Sequence, residues 1–230
     1  MTDAFRGEAA QVRLNTFLRN VYGWMAAALA LTGFVALAVT RMPGLQRAIF
    51  GNPVIFFGLI IGEVVLVMVL AARVQRMSAA TATAVFIGYS ALNGLTLSMV
   101  FLAYTSASVA QAFFVTAGVF GVMTIYGFVT KTDLSRLGNI LGMALIGFII
   151  ATVVNIFLRS EGLYWIITYA GVLIFTGLVA YDTQQIKKMA LAGAGDDESG
   201  QKLAIMGALK LYLDFINLFL QLLRILGRQR

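Results

Sequence analysis

The stretch Met77–Thr130, MSAATATAVFIGYSALNGLTLSMVFLAYTSASVAQAFFVTAGVFGVMTIYGFVT, runs for 54 residues without an Asp, Glu, Lys or Arg. A helix rises about 1.5 Å per residue and needs about 20 apolar residues to cross about 30 Å of hydrocarbon. The stretch therefore holds two membrane spans, with TSASVAQ at 105–111 as the turn between them. Charge-free runs of similar span length lie on either side: Asn20–Thr40 with 21 residues, Leu137–Leu158 with 22 and Gly162–Tyr181 with 20. Over the whole chain 60% of residues are hydrophobic and 12% charged, far from the roughly 45–50% apolar share of a soluble domain. The mean hydropathy is +0.88. This is the sequence of an all-α, polytopic integral membrane protein.

Seven hydrophobic helices are expected, at about 21–40, 54–73, 79–103, 109–130, 138–158, 163–186 and 203–226. Residues 1–20 read as a polar cytosolic N-terminal segment, 21–227 as a single seven-helix membrane domain, and 228–230 as a tail. The first 19 residues lack the apolar core of a cleavable signal, so the first span is expected to target the chain. The two prolines, Pro43 and Pro53, both fall in the first helix–helix connection, where they end helices cheaply. LAGAGDDESGQ at 191–201 carries Asp196, Asp197 and Glu198 without the spacing of a calcium loop and reads as a solvated turn. Gly138 and Gly142 form a GxxxG, a packing pattern that a glycine-rich chain also produces by chance.

Composition closes several routes to function. With no cysteine and no histidine, the chain has no thiol nucleophile, no disulfide, no thiolate metal site and no imidazole base. The formal charge of +7 reads as flanking Lys and Arg that set topology, not as a nucleic-acid surface. Ten of these residues fall on the N-terminal side of the expected topology and six on the other, with Lys210 inside the last span. The positive-inside rule places the N-terminus in the cytosol. The basic C-terminus (Arg224, Arg228, Arg230) opposes that rule if the last helix crosses fully, as its length favours, and obeys it if the helix re-enters.

Two acids stand out because ionisable groups inside hydrocarbon cost about 3 kcal/mol or more and persist mainly where they pair, meet water or work. Asp214 lies in the middle of the last apolar stretch, and Asp182 lies near the end of the stretch before it. Counted from the cytosolic edge, they sit roughly 16 Å and 6–9 Å deep on consecutive helices. Glu63 falls near the midplane of the second helix, which ends at Arg73 on the cytosolic side. A local explanation stays open for each aspartate: Lys210, at i−4, is a possible local partner of Asp214, and Lys187 and Lys188 adjoin Asp182. Tyr181 and Tyr212 can donate to the acids or serve as interface tyrosines. Two neighbouring carboxylates in low dielectric titrate as a coupled pair and form a hard-oxygen site that attracts calcium. These are the ingredients of a proton-sensitive cation gate.

At these residues the chain resembles a known family. LKLYLDFINLFLQLLRILG at Leu209–Gly227 is similar to the final-helix signature of the Bax-inhibitor-motif family of seven-helix membrane proteins. AYDTQQIKK around Asp182, NGLTLS at Asn93–Ser98 and GEVVL around Glu63 resemble three more of its segments, and the short tails resemble a bacterial member. The resemblance implies a calcium-permeable, pH-sensitive leak in the bacterial plasma (inner) membrane, with Asp182 and Asp214 as the pH-sensing pair and calcium as permeant or bound ion. It also implies a basic latch at the end of helix two, for which Arg73 is the nearest match and Arg76 the alternative. Glu63 is a candidate for the ion pathway. Bacterial relatives are linked to a membrane-bound AAA protease, so a non-conducting regulator of such a partner is the competing function. The animal relatives' suppression of cell death does not carry over to a cell without that pathway.

No enzyme is expected, and no cofactor. An intramembrane aspartyl protease also carries a Tyr-Asp and a second Asp on consecutive helices, but its GxGD motif is LYLD here. Its proline-containing element has no counterpart, because no proline follows residue 53.

Overall fold

The computed structural model describes residues 2–192 and 197–229, with side chains from residue 11 onward. Its secondary structure is helical, with no strand among the described residues. The elements are α1 (Thr2–Thr40), α2 (Pro43–Phe50), α3 (Pro53–Arg73), a 3₁₀ turn (Val74–Arg76), α4 (Ala79–Ala103), α5 (Ser106–Val129), α6 (Ser135–Leu158), α7 (Glu161–Leu191) and α8 (Glu198–Leu226). All but α2 and the 3₁₀ turn are long and apolar enough to cross a membrane, which gives the seven expected spans among the described residues.

The boundaries differ from expectation mainly at the start of α1 and at the α7–α8 connection, where α7 runs on to Leu191 and α8 already starts at Glu198. The segment expected over residues 1–20 is not a separate element, because α1 begins at Thr2 and runs unbroken to Thr40. Its buried stripe, Leu14, Phe17, Val21, Met25, Ala28, Thr32, Ala36 and Val39, advances in steps of three and four and starts six residues before Asn20. One apolar face thus continues past the charged residues that suggested a boundary. The short helix α2 has no counterpart among the expected elements. Gln46 on it donates from Nε2 to the carbonyls of Val39 (3.0 Å) and Thr40 (2.9 Å), closing the open end of α1. Asp196 lies outside the described residues. Asp197 accepts from the Gly200 amide at 3.0 Å, and Glu198 is an exposed residue in the first turn of α8.

The turns carry their own capping chemistry. Asn52, Ser78 and Thr105 each accept a backbone amide at the start of α3, α4 and α5, at 3.0, 3.1 and 3.2 Å. Between α6 and α7, Arg159 takes the left-handed conformation (φ 51°), and the Asn155 side chain accepts from the Ser160 amide at 3.0 Å.

The helices group into two compact units. The first comprises residues 1–104 and Lys188–Tyr212, and the second Thr105–Lys187 and Leu213–Gln229. In the first, α1 packs along α4, where Gly94 allows close approach: a Cβ there would meet the Val35 side chain at 2.7 Å and the Thr32 carbonyl at 2.8 Å. Lys202 Nζ donates to the Gln75 carbonyl at 3.4 Å, and the Ala79 amide donates to Glu198 Oε1 at 3.3 Å, tying the start of α8 to the α3–α4 connection. In the second unit, Ile174, Phe175, Leu178, Leu218 and Leu222 form the core between α7 and α8. Thr105 N donates to the Arg228 carbonyl at 3.2 Å, and the Arg228 amide donates to Ser108 Oγ at 2.9 Å. The end of α8 therefore lies beside the α4–α5 connection, as a full crossing requires.

Glycines set the tightest helix crossings of the second unit. A Cβ on Gly127 of α5 would overlap the Ala180 carbonyl, and one on Gly138 of α6 would overlap the Tyr181 ring. Gly142, the other half of the GxxxG, has nothing within 4 Å of its Cβ position, so the motif does not act as a pair. We expect Gly127→Ala to lower stability by about 1–3 kcal/mol, because the obstructing atom is backbone and does not yield. On the same helix, Gly118→Ala and Gly121→Ala, with open space at both positions, should be neutral or stabilise by up to about 1 kcal/mol through helix propensity. Thermal unfolding of the three variants in detergent distinguishes them.

Candidate functional site: the buried aspartates of the α7–α8 pair

The segment of α7 around Asp182 is fixed from two sides and from its end. Gly127 and Gly138 let α5 and α6 approach Ala180 and Tyr181, the two residues that precede the acid. One turn on, the buried Gln184 uses both ends of its amide. Nε2 donates to the Thr132 carbonyl and Oε1 accepts from the Leu134 amide, each at 2.8 Å. Lys187 Nζ donates to the Phe128 carbonyl at 2.7 Å and lies over the Phe128 ring, 4.9 Å from its centroid. The cation thus meets the negative end of α5. The α5–α6 connection is bound to α7 by these contacts.

Asp214 lies on the buried face of α8. Its neighbour Phe215 packs edge-on against Phe113 and Phe120 of α5, both at 5.5 Å between centroids. A Cβ on Gly171 would meet the Gln221 side chain at 2.8 Å, which sets the antiparallel register of α7 and α8. Leu178 and Leu218 in the shared core extend that register along facing stripes. By this register Asp214 falls opposite Leu178, and Asp182 follows four residues later on the same stripe, about one turn or 6 Å along the axis. Both acids are buried, Asp182 at 8% and Asp214 at 5% exposure. Beside Asp182, the buried Thr183 Oγ1 has no hydrogen-bond partner among the described residues, and an orphan of this kind marks a place for water or an ion.

The remaining candidates lie in the first unit. Glu63 sits ten residues from either end of α3, is half-buried, and accepts from Thr96 Oγ1 (2.8 Å) and Asn93 Nδ2 (3.3 Å) of α4. Arg73, the last residue of α3, and Arg76, in the 3₁₀ turn, are both exposed, and among the described residues neither makes an ion pair. Lys210 is half-buried on α8. Tyr212 is fully buried, and its hydroxyl contacts Thr32 Oγ1 at 2.7 Å and Asn93 Oδ1 at 3.2 Å, so it serves a polar network and not an interface. Tyr181 packs over Gly138.

Three residues with a structural part in these sites were not weighed at the level of the sequence: Gln184, Asn93 and Thr32. The first two sit inside AYDTQQIKK and NGLTLS, where an amide in an apolar helix is itself a signal that a partner is required. Thr32 carries no such signal, since a threonine in a span satisfies itself on its own backbone. Among the described residues no three acidic side chains converge. Two carboxylates fill only part of the six to eight oxygen positions that calcium prefers, which suits a passing ion better than a retained one.

Gln184→Leu removes both amide contacts and leaves the Leu134 amide and the Thr132 carbonyl without their partners. A loss of about 2–4 kcal/mol is expected, read as a fall in thermal stability, whereas Gln185→Leu, one position along on a half-buried site, should change it little.

The family model described as "Inhibitor of apoptosis-promoting Bax1" matches residues 14–230. The chain is 51% identical over 218 residues to "Inner membrane protein YbhL" of Escherichia coli (strain K12), covering 94% of this chain and 93% of that protein. It is 45% identical over 216 residues to an uncharacterized protein of Borreliella burgdorferi, with 94% and 93% covered. It is 40% identical over 221 residues to an uncharacterized membrane protein of Streptococcus pyogenes serotype M1, with 95% of each covered. The match takes in both aspartates, Glu63 and every span but the first turns of α1. The chain belongs to the Bax-inhibitor-motif family of membrane proteins.

Proposed function

We propose that the protein is a calcium-permeable leak whose conduction is set by protons at Asp182 and Asp214. The observation that carries this reading is the pair of buried carboxylates one turn apart on the facing stripes of α7 and α8. Buried acids on adjoining helices share a proton more readily than both ionise, because two like charges in low dielectric repel strongly. A bound proton and a calcium ion then compete for the same oxygens, so calcium affinity falls as pH falls. Loss of the proton leaves two charges that either separate the helices or draw in the cation. The spare Thr183 hydroxyl adds an oxygen beside the site. Family membership supports the same reading.

In this proposal the N-terminus lies in the cytosol, as the distribution of Lys and Arg suggests, and the C-terminus lies on the opposite side. The end of α8 beside Thr105 and Ser108 supports that arrangement. The latch of the proposal is Arg73, or Arg76 if Arg73 is silent, engaging Asp182 in the closed state. Arg73→Ala is then expected to raise basal leak at neutral pH.

The deciding experiment is calcium entry into indicator-loaded liposomes containing purified protein, measured against pH. Wild type should conduct with a steep pH dependence, and Asp182→Asn and Asp214→Asn should each flatten it. The same pH-dependent flux in wild type and the double variant would place the sensor elsewhere. No flux at any pH, from protein shown to be folded, would overturn conduction itself and leave a non-conducting regulator of a membrane-bound protease as the reading to pursue.

A further inference from the structure

The first unit contains a chain of polar side chains that links four helices at mid-span. Glu63 of α3 accepts from Asn93 Nδ2 (3.3 Å), Asn93 Oδ1 accepts from the Tyr212 hydroxyl (3.2 Å), Tyr212 meets Thr32 Oγ1 (2.7 Å), and Thr32 donates to the Ser90 carbonyl (2.8 Å). Every member after Glu63 is at most 8% exposed. The Tyr212 ring is wedged edge-on against Phe86 and Tyr89, both at 5.8 Å between centroids, so its hydroxyl cannot leave the chain.

Hydrogens do not suffice for this order. Tyr212 and Thr32 own one hydroxyl hydrogen each, yet three contacts call for one: Tyr212 with Asn93 Oδ1, Tyr212 with Thr32, and Thr32 with the Ser90 carbonyl. One contact always lacks a hydrogen while Asn93 turns its oxygen toward Tyr212. A half-turn of the Asn93 amide removes the shortage. Nδ2 then donates to Tyr212, Tyr212 donates to Thr32, and Thr32 donates to the Ser90 carbonyl. That order turns Asn93 Oδ1 toward Glu63 Oε2, which is acceptable only if Oε2 carries a hydrogen. Thr96 donates to the other oxygen, Oε1, at 2.8 Å and is compatible with both forms. The protonated acid therefore completes a chain of four hydrogen bonds, from Glu63 to Asn93, Tyr212, Thr32 and the Ser90 carbonyl, where the carboxylate permits three.

We propose that Glu63 is a proton-binding site at the centre of α3, and that the Asn93 amide turns with its protonation state to reverse the hydrogen-bond order at Tyr212 on α8. The charge environment of Glu63 is sparse. The titratable groups beside it are Tyr212 of α8, joined to it through Asn93, and Tyr89 of α4, whose ring packs on that of Tyr212. Arg47 on α2, Arg76 in the 3₁₀ turn and Arg73 on α3 itself are exposed and lie toward the helix ends. At the middle of a 21-residue span, bulk water lies about 15 Å away in either direction, so the local chain is what receives the proton. This site belongs to the first unit, and the proposal does not rest on conduction or on the aspartates of the second.

The test is the side-chain amide resonance of Asn93 in isotope-labelled protein in nanodiscs, assigned by its loss in Asn93→Ser and followed against pH. Wild type should show a shift with a single-proton midpoint, and the Asp182→Asn/Asp214→Asn double variant should show the same shift. Glu63→Gln should hold the resonance at its acid-form position at every pH, because the glutamine amide donates as the neutral acid does. Tyr212→Phe removes the acceptor that rewards the turned amide, which takes one hydrogen bond from the protonated form's advantage. Its midpoint should move to lower pH by about 0.5–1 unit. A resonance that ignores pH in wild type, a shift that survives Glu63→Gln, or a shift abolished by the double aspartate variant would each overturn the proposal. Should Glu63→Gln fail to fold, the wild-type titration and the direction of the Tyr212→Phe shift decide it.

Discussion

Once helices are inside a bilayer, lipid is as good a neighbour for leucine as another helix is, and burial of apolar surface no longer holds them together. What remains is close packing and the need of every polar group to find a partner where water is absent. The structure depends on that second constraint most visibly at α8. Its buried face carries Tyr212, Asp214 and Gln221 among leucines and phenylalanines. Each would be expensive against lipid, and together they specify which side of α8 is turned inward. The outer helices show the converse: α3 exposes Val54, Phe57, Ile61, Val64 and Met68, and α6 exposes Ile146, Ile150, Val153 and Phe157, as lipid-facing surfaces should.

Close packing supplies the other half, and it is delivered by absence. Where α5 and α6 meet α7, the approach is set by missing β-carbons at Gly127 and Gly138, and the groups opposite them, the Ala180 carbonyl and the Tyr181 ring, belong to the two residues that lead into Asp182. The stretch of backbone that carries the acid is thereby fixed by the contacts of its two neighbours. Backbone fixed this way stays in place whether or not the side chain it carries is ionised, which is what a group needs if it is to change charge repeatedly without losing its place.

Much of this was legible in the sequence because the controlling quantities are local. Span length follows from charge-free runs, and six of the seven spans end within two residues of a Pro, Ser, Thr or charged residue that breaks or caps a helix. Asp182, Asp214 and Glu63 announce themselves because a single acid in 20 apolar residues has few bland explanations. What escaped was of two kinds. The continuation of α1 back to Thr2 was hidden because the five charged residues among the first 19 outweigh the buried Leu14 and Phe17 in any average over the segment. The partners of Glu63 and the staple at Gln184 were hidden because they join residues 30 to 52 positions apart, a distance over which composition carries no information. The GxxxG of Gly138 and Gly142 shows the limit from the other side: one glycine is a contact point and the other faces open space.

The bonds of Gln184 and Lys187 make the α5–α6 connection travel with α7. In mechanical terms those pieces form a single lever, and a lever bends only at its pivot. On the N-terminal side of α7 the available pivot is the pair Arg159 and Ser160, where the chain already leaves helical geometry for one left-handed residue. A stiffer residue pair there would leave every contact at the aspartates intact and still govern how far, and how quickly, that arm can swing.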